Sequence, residues 1–568
     1  MDNGLAGQQS IEQTDEKPWW FRRGRLLHSV DMGVLLCAGL LLIPFIHAWN
    51  SLPGMGLDDG WIHLTFARNL AQNHLWSINP AGVSGGTTSI LWVLILAAGF
   101  FITDHGAAVA VFVNGILMLI LTVLVHRVWC DLANKDEGGH GPSCVNSKAG
   151  IISTMLVLAC GNLIWYAFTG METLLVLVLG LTAIYCAAKN KHGWMSFFVF
   201  LGVLTRPDFL LIVPAIGLLR RREWRVWIQL LVAAGIGLLA TGLLNDHLTG
   251  TFLPSTLSGR RWIIGESDSP NIHPWEILKN FFWLIGVWGY RLAEFTFGQN
   301  LVTAMGLPAA IGWTIAGIEM LVAGIGMIVG LRKRSFFLNA LVRWAIFALI
   351  GYAIMLPTRG HGGRYQPMVL LTVMVFFVMG LMWLWTIGRN WKGWQVGVCA
   401  LAGVSILSLA TWVSILSQSL AHFDRVHIAA ARWIDEKTSK DARVAGFDIG
   451  SLAYWGHRPI VDLGGLVDPV AGRALYHRTI PEYLQSQHAE YLVMIFPYTD
   501  PYVYFNDFRL DELERTGVLK PIKNFTFPIQ DEKNYRPGDA ARVLTNEIRI
   551  YRIVWHKNEK KNSSAAIW

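Results

Sequence analysis

Long apolar segments, several of them bounded by basic clusters, are the feature that most constrains the fold of this sequence. The first runs from about Val30 to Trp49 and follows an arginine cluster at residues 22–25. A helix needs about 20 apolar residues to cross a bilayer, so this segment fits one crossing. Of the 568 residues, 53% are hydrophobic and only 15% are charged, against about 25% charged residues in soluble domains. The sequence therefore predicts a polytopic membrane protein.

The positions of the basic clusters indicate how the spans are oriented. Cytoplasmic loops of membrane proteins are enriched in Lys and Arg. With the N-terminus inside, basic loops fall on the inner side at residues 189–191, 220–222 and 332–334. The pattern predicts about 11 spans with additional juxtamembrane helices. The net charge of +8 is explained by these inner loops, so we do not expect nucleic-acid binding.

The composition changes near residue 419, where charged residues become frequent and apolar runs shorten. Short strands are predicted at residues 442–447, 459–463 and 491–495. The predicted organisation is a cytoplasmic segment, a transmembrane domain and an external domain, at residues 1–29, 30–418 and 419–568. The predicted fold class is mainly α, a polytopic helical membrane domain followed by an extracytoplasmic α/β domain.

The stretch at residues 56–92 follows the first span and carries two adjacent carboxylates, Asp58 and Asp59. An amphipathic segment with His63 and Arg68 comes next, then a Gly/Ser/Thr-rich turn and an apolar segment about half as long as a full crossing. This pattern predicts helices that lie on or dip into the membrane. An N-cap role also fits Asp58, although a cap requires one acid and the sequence has two.

An apolar run at residues 194–219 is interrupted by the sequence TRPD, which contains Arg206 and Asp208. Basic residues flank both ends of the run, which predicts two short helices that enter and leave on the inner side. Charge and irregular backbone at membrane depth are tolerated only where they line a polar cavity. Arg206 and Asp208 are therefore candidate substrate-binding residues.

Further polar residues fall in loops that this topology places outside the membrane. They are Glu172, Arg260, Arg261, His361, Arg364 and Tyr365. Guanidinium groups match phosphate oxygens, and a carboxylate accepts a proton from an attacking hydroxyl. Simpler roles stay open: a helix cap for Glu172, lipid-headgroup contacts for the arginine pair, and interfacial anchoring for His361 and Arg364.

The loop LDDGWIHLTFARNLAQNHLWSINPAGVSGGTTSILW resembles the first outer loop of GT-C-type integral membrane glycosyltransferases, in particular the mycobacterial terminal arabinofuranosyltransferase branch. TGMET, TRPD and GRY, at residues 169–173, 205–208 and 363–365, are similar to later landmarks of that branch. The resemblance covers residues 30–416. It implies a polyprenyl-phosphate sugar donor and an acidic base at Asp58 or Asp59. GVSGGTTS replaces the acidic turn expected in the arabinosyl branch, which leaves the donor sugar open.

The resulting hypothesis is a glycosyltransferase of the bacterial cytoplasmic membrane that modifies a cell-envelope glycan or lipid at the outer face. Asp58 is the favoured base because it stands at the boundary between loop and helix, and Asp59 is assigned to orienting the acceptor or holding the loop. Two adjacent acids also suit a divalent cation, although the transfer does not require one.

Two rival classes were weighed against this hypothesis. A transporter or flippase for a lipid-linked substrate is the main alternative, because polar residues in membranes also mark transport paths. The sequence contains one broken hairpin and no inverted repeat, which favours the enzyme. An acyl- or phosphotransferase would require a Ser/His or His-centred site, for which the candidate is His361.

Overall fold

Helices build the first three quarters of the structure, which is a computed structural model. It describes residues 29–80, 84–136, 148–254, 256, 257, 259, 273–295, 302, 305–358, 363–477, 479–496, 510–527 and 547–555. The helices up to residue 422 are α1 (Ser29–Ser51), α2 (Asp58–Asn73), α3 (Ile90–Phe100), α4 (Gly106–Asp136), α5 (Lys148–Leu158), α6 (Gly161–Tyr166), α7 (Thr173–Ala188), α8 (His192–Thr205), α9 (Ile212–Gly217), α10 (Trp224–Thr249), α11 (Pro274–Phe295), α12 (Ala309–Arg332), α13 (Phe336–Met355), α14 (Pro367–Ile387) and α15 (Lys392–His422).

Seven of the described helices are long and apolar enough to cross a membrane on their own. They are α1, α4, α10, α12, α13, α14 and α15. The other four segments counted among the predicted spans correspond to shorter helices. One is formed by α5 together with α6, one is α7, and the two arms of the hairpin are α8 and α9. The protein is therefore a multi-pass membrane protein that combines long spanning helices with shorter ones.

The third predicted span is not continuous, because α5 ends at Leu158 and α6 begins at Gly161. A Cβ atom at Gly161 would lie 2.2 Å from ring atoms of Trp412 in α15. Glycine at this position lets the start of α6 pack directly against α15, at the point where the helix is interrupted.

The predicted break in the hairpin is confirmed at Arg206. Helix α8 ends at Thr205, and Arg206 is extended, with φ −154° and ψ 128°. Pro207 then begins a 3₁₀ turn that leads into α9. Proline disfavours the helical conformation of the residue before it, which explains the break. At the other end of the hairpin, Arg220 donates to the carbonyl oxygen of Ala187 at 2.7 Å, so the hairpin returns to the side on which α7 ends.

The remainder of the chain is an α/β unit, called the C-terminal domain below, that follows α15 through a π-helical turn, Phe423–Ile428. Its elements are α16 (Ala429–Lys437), β1 (Val444–Gly446), α17 (Ile449–Gly456), β2 (Ile460–Asp462), α18 (Pro469–Tyr476), α19 (Ile480–Ser486), β3 (Tyr491–Phe496), α20 (Leu510–Arg515), β4 (Leu519–Thr526) and β5 (Glu547–Ile553). The sheet order is β2-β1-β3-β5-β4. Strand β1 is parallel to β2 and β3, and β5 is antiparallel to β3 and β4. The three predicted strands are present, and β4 and β5 were not predicted.

The two faces of this sheet belong to different hydrophobic cores. Successive side chains of a strand point to opposite faces. Val444 of β1 lies in the core that continues into the membrane helices, whereas the next residue, Ala445, lies in a second core with α18 and α19. One face of the sheet is thus continuous with the core of the membrane part, and this continuity brings α17 onto α2.

Candidate active site

The first turn of α2 is held on two sides by close backbone contacts. A Cβ atom at Gly450 in α17 would lie 2.1 Å from the carbonyl oxygen of Asp58. A Cβ atom at Gly60 would lie 2.4 Å from the carbonyl oxygen of Thr169, in the loop before α7. Both approaches require a residue without a side chain. The backbone around Asp59 is therefore enclosed by the C-terminal domain and by the loop that carries Glu172.

Asp58 is buried and binds the start of α17. Its Oδ1 accepts hydrogen bonds from the backbone N–H and the hydroxyl of Ser451, at 2.8 and 2.7 Å, and its Oδ2 accepts one from the N–H of Gly450 at 2.6 Å. These are the second and third residues of α17, so Asp58 caps a helix other than its own. Burial raises the pKa of Asp58 to about 6, although the hydrogen bonds from Ser451 and Gly450 lower it.

Asp59 has a different partner, because its Oδ2 forms an ion pair with Nη2 of Arg364. The side chain of Asp59 is 24% exposed, and that of Arg364 is 2% exposed. Arg364 also donates to the hydroxyl of Tyr365 at 3.0 Å, and its guanidinium lies 4.9 Å from the centre of that ring. Asp59 is thus the more accessible of the two acids, and a buried cation fixes it.

A network of buried charges continues from Arg364. Nη1 of Arg206 donates to the carbonyl oxygen of Arg364 at 3.0 Å and lies 3.7 Å from Oε1 of Glu172. Oε2 of Glu172 lies 3.4 Å from Nε2 of His63. Burial alone would raise the pKa of Glu172, but the contact with His63 and the charge of Arg206 lower it to about 2. The side chain of Glu172 does not cap α7, so it serves this network instead.

Arg206 and Asp208 form a two-point ion pair at the hairpin tip. Nε and Nη2 of Arg206 donate to the two carboxylate oxygens of Asp208 at 2.9 and 2.8 Å. The hydroxyl of Tyr352 accepts from Arg206 and donates to Asp208, both at 2.7 Å. Tyr352 was not predicted from the sequence, where its signal is a phenol in the last turn of α13 after a run of apolar residues. Asp208 is 27% exposed, so the network reaches the surface here as well as at Asp59.

The structure brings together most, but not all, of the predicted site residues. The network contains Asp59, His63, Glu172, Arg206, Asp208, Arg364 and Tyr365. Arg68 lies apart from it, because it donates to the carbonyl oxygen of Tyr454 at 2.8 Å and covers the Tyr454 ring at 4.5 Å. Arg68 therefore joins α2 to the C-terminal domain. Arg260, Arg261 and His361 lie outside the described residues.

Gly450 and Ser451 are functional partners that sequence reasoning missed. They follow Asp58 by 392 and 393 residues, and no local pattern connects the two segments.

A cation shared by the two adjacent acids would have to displace existing contacts. Both oxygens of Asp58 accept hydrogen bonds, and Asp59 is paired with Arg364. Within the described ranges, no group of three or more His, Cys, Asp and Glu side chains is placed to hold a metal ion.

Comparisons with known proteins bear on the fold. The family described as Domain of unknown function (DUF8728) matches residues 417–540. No protein of curated function matches the sequence. Among solved structures, ArnT from Cupriavidus metallidurans, crystallised bound to undecaprenyl phosphate, is similar, with a TM-score of 0.50 and 12% sequence identity. The match covers 92% of this chain and 98% of that one. This likeness confirms the predicted fold class, a mainly α polytopic membrane domain followed by an α/β domain.

Proposed function

We propose that this protein is a membrane glycosyltransferase that moves a sugar from a polyprenyl-phosphate donor to a hydroxyl group of a cell-envelope glycan or lipid. The observation that carries the proposal is the Asp59–Arg364 ion pair. In it, a buried guanidinium fixes an accessible carboxylate that lies shortly after the first span. The fold that the chain shares with ArnT supports a lipid-phosphate donor, because ArnT was crystallised bound to undecaprenyl phosphate.

Asp59 is the proposed base. In the reaction the acceptor oxygen forms a bond to the anomeric carbon of the donor sugar, and the bond from that carbon to the phosphate oxygen breaks. The phosphate leaves with the bonding electron pair, and the proton of the acceptor hydroxyl passes to a base. Asp58, which the sequence favoured for this role, is less suited because three donors already occupy its two oxygens. Asp59 is partly exposed and therefore accessible to the acceptor.

Arg364 is the proposed contact for the donor phosphate. Among the described residues, its Nη1 contacts the thioether sulfur of Met171 at 3.7 Å, and its Nε has no acceptor. A phosphate oxygen that reaches this buried guanidinium would supply these N–H groups with a strong acceptor. Arg206 is instead engaged by Asp208 and Tyr352. We assign Arg206 to supporting Arg364, whose carbonyl oxygen it binds.

The same proposal places residues 30–418 in the bacterial cytoplasmic membrane and residues 419–568 on its outer face. The inner end of the hairpin is marked by Arg220, which also donates to the side-chain oxygen of Asn190 between the basic residues Lys189 and Lys191. The charge network lies at the opposite ends of α7 and α8. Because basic ends face the cytoplasm, the network faces outward.

The proposal is tested by following a labelled sugar in liposomes that contain the purified protein. A panel of polyprenyl-phosphate sugars, including arabinofuranose and hexoses, is the donor, and a cell-envelope lipid and glycan extract is the acceptor. We expect one donor to yield label joined to the acceptor and free polyprenyl phosphate, with this product formed at least about 100-fold more slowly by Asp59→Asn. Label that crosses the bilayer while still attached to polyprenyl phosphate would instead identify a lipid transporter.

A further inference from the structure

The C-terminal domain contacts α2 from Asp58 in its first turn to Arg68 in its third. At the first turn, the carboxylate of Asp58 holds Gly450 and Ser451, and we name this contact the Asp58 clamp. One turn later Trp61 packs on both Tyr454 and Trp455, with ring centres 4.9 and 5.6 Å apart. Helix α17 therefore follows α2 from its first turn.

Helix α17 depends on the Asp58 clamp for its N-terminal hydrogen bonds. Its own N-cap residue, Asp448, makes no side-chain capping hydrogen bond. The first N–H groups of a helix lack partners within the helix, and a carboxylate near them is favoured by the helix dipole. These groups of α17 are bound by Asp58, from a segment almost 400 residues earlier. The end of α17 and the first turn of α2 are consequently fixed together.

This coupling acts on the residue next to Asp58. The Cα atoms of Asp58 and Asp59 are about 3.8 Å apart, as across any trans peptide, so a shift of one moves the other. The close approach of Gly450 to the carbonyl oxygen of Asp58 blocks a shift of this turn toward α17, and the three hydrogen bonds of the clamp oppose a shift away from it. Asp59 reaches Arg364 from this fixed turn.

We infer that the C-terminal domain positions the base Asp59 through the Asp58 clamp, and that Ser451 is a positioning residue for the transfer reaction. This inference rests on the proposed function and adds a role for a domain whose family is described only as a domain of unknown function. Ser451 does not act on the substrate itself. It acts through Asp58 on the geometry of Asp59.

The test compares two variants that each remove one side chain joining the C-terminal domain to the membrane part. Ser451→Ala removes the hydroxyl donor of the clamp. The matched control, Asn79→Ala, removes a side chain that accepts from the N–H of Ile460 at 2.8 Å and donates to the Ile460 carbonyl oxygen at 3.4 Å, a contact that does not involve the first turn of α2. A misplacement of about 1 Å lowers a rate by up to about 100-fold. We therefore expect Ser451→Ala to lower kcat roughly tenfold with unchanged donor KM.

Asn79→Ala should lower kcat less than twofold at equal folded fraction, and Ser451→Thr, which keeps the hydroxyl, should recover most of the rate lost in Ser451→Ala. A second readout does not depend on sugar transfer. In a protein carrying Asp59→Cys, the rate of reaction with a membrane-impermeant thiol reagent should rise several-fold on adding Ser451→Ala and stay constant on adding Asn79→Ala.

Equal kcat losses in Ser451→Ala and Asn79→Ala, or unchanged thiol reactivity at position 59, would overturn the inference. If the wild-type protein transfers no sugar, the proposed function fails, whereas the thiol measurement still reports on the clamp.

Discussion

The two sides of the first turn of α2 bind their surroundings by different means. Toward the C-terminal domain, Asp58 accepts hydrogen bonds from two backbone N–H groups and a hydroxyl. Toward the membrane helices, Asp59 pairs with Arg364, and Glu172 lies near His63 and Arg206. The buried carboxyls respond in opposite directions: burial raises the pKa of Asp58 to about 6, whereas contact with His63 and Arg206 outweighs burial and lowers the pKa of Glu172 to about 2.

This difference separates a docking side from a chemical side. Neutral donors fix the position of Asp58 but do not offset the loss of hydration that its charge suffers on burial. Contact with His63 and Arg206 instead favours the charged form of Glu172 in the same low-dielectric surroundings. We therefore assign the attachment of the C-terminal domain to the Asp58 side and the chemistry to the Asp59 side.

The largest expected effect separates the two adjacent acids. Asp59→Asn should lower kcat by about 10²–10⁴-fold, the range typical for loss of a general base. Asp58→Asn should lower kcat roughly tenfold, because it loosens the turn without removing the base. Initial rates of label transfer in the same liposomes measure both. A larger loss in Asp58→Asn than in Asp59→Asn would return the base to Asp58, the residue that the sequence favoured.

The next effect concerns stability and contrasts two arginines on the two sides. Arg206→Met leaves Glu172 and Asp208 without their shared cation and should destabilise the protein by about 3–5 kcal/mol. Arg68→Met, on the docking side, removes hydrogen bonding to a neutral carbonyl and should lose about 1–3 kcal/mol. Thermal unfolding in detergent measures both variants. Adding Asp208→Asn should restore part of the stability of Arg206→Met, and equal midpoints for the two arginine variants would contradict the contrast.

A smaller effect is expected at the guanidinium that holds Asp59. Arg364→Lys keeps the charge but cannot bind in the two-point geometry of a guanidinium. Loss of one charged hydrogen bond, about 1.5–3 kcal/mol, corresponds to a roughly ten- to hundredfold fall in kcat/KM. Much of this fall should come from a higher donor KM, because Arg364 is assigned to the phosphate. Titrations with the donor measure KM and kcat of Arg364→Lys and of Arg364→Met, which should be the more impaired of the two. Wild-type kinetics in Arg364→Met would show that Arg364 does not bind the donor phosphate.

The smallest effect is a pH dependence of opposite sign on the two sides. The raised pKa of Asp58, near 6, means that the folded protein takes up a proton below that pH, so stability rises by about 1 kcal/mol between pH 7 and 5. The lowered pKa of Glu172, near 2, gives stability that is present above about pH 4.5 and is lost below it. Thermal unfolding midpoints relative to Asp58→Asn should therefore rise from pH 7 to 5. The wild-type midpoint relative to that of Glu172→Gln should stay constant between pH 7 and 5 and fall below pH 4.5.

Much of the architecture and of the chemical side could be predicted from the sequence. Apolar length and basic clusters indicate the spans, and Pro207 after Arg206 indicates the break in the hairpin. The predicted topology places Glu172 before the start of α7, Arg206 after the end of α8 and Arg364 before the start of α14, which is the same side of the helix layer, so their convergence follows from the pattern. Strand β5, with the sequence EIRIYRI, also alternates clearly and could have been found.

The docking side could not be predicted in the same way. Whether Asp58 or Asp59 faces the network is decided by the packing of α17 on α2, a contact between segments 392 residues apart. Strand β4 contains Pro521 and two lysines and is mostly exposed, as fits a strand at the edge of a sheet, so it lacks the alternation that reveals a buried strand. The sequence suggested that Asp58 is either a base or the N-cap of its own helix. In the structure it caps α17 instead.

The base assignment is tested most directly by the pH dependence of kcat in Asp58→Asn and Asp59→Asn. A carboxylate base must be unprotonated to accept the acceptor proton, so the wild-type kcat should fall toward acidic pH. We predict that Asp58→Asn keeps this fall at a reduced overall rate, and that the residual activity of Asp59→Asn is flat on the acidic side. An acidic fall that persists in Asp59→Asn and disappears in Asp58→Asn would contradict the assignment of Asp59 as the base.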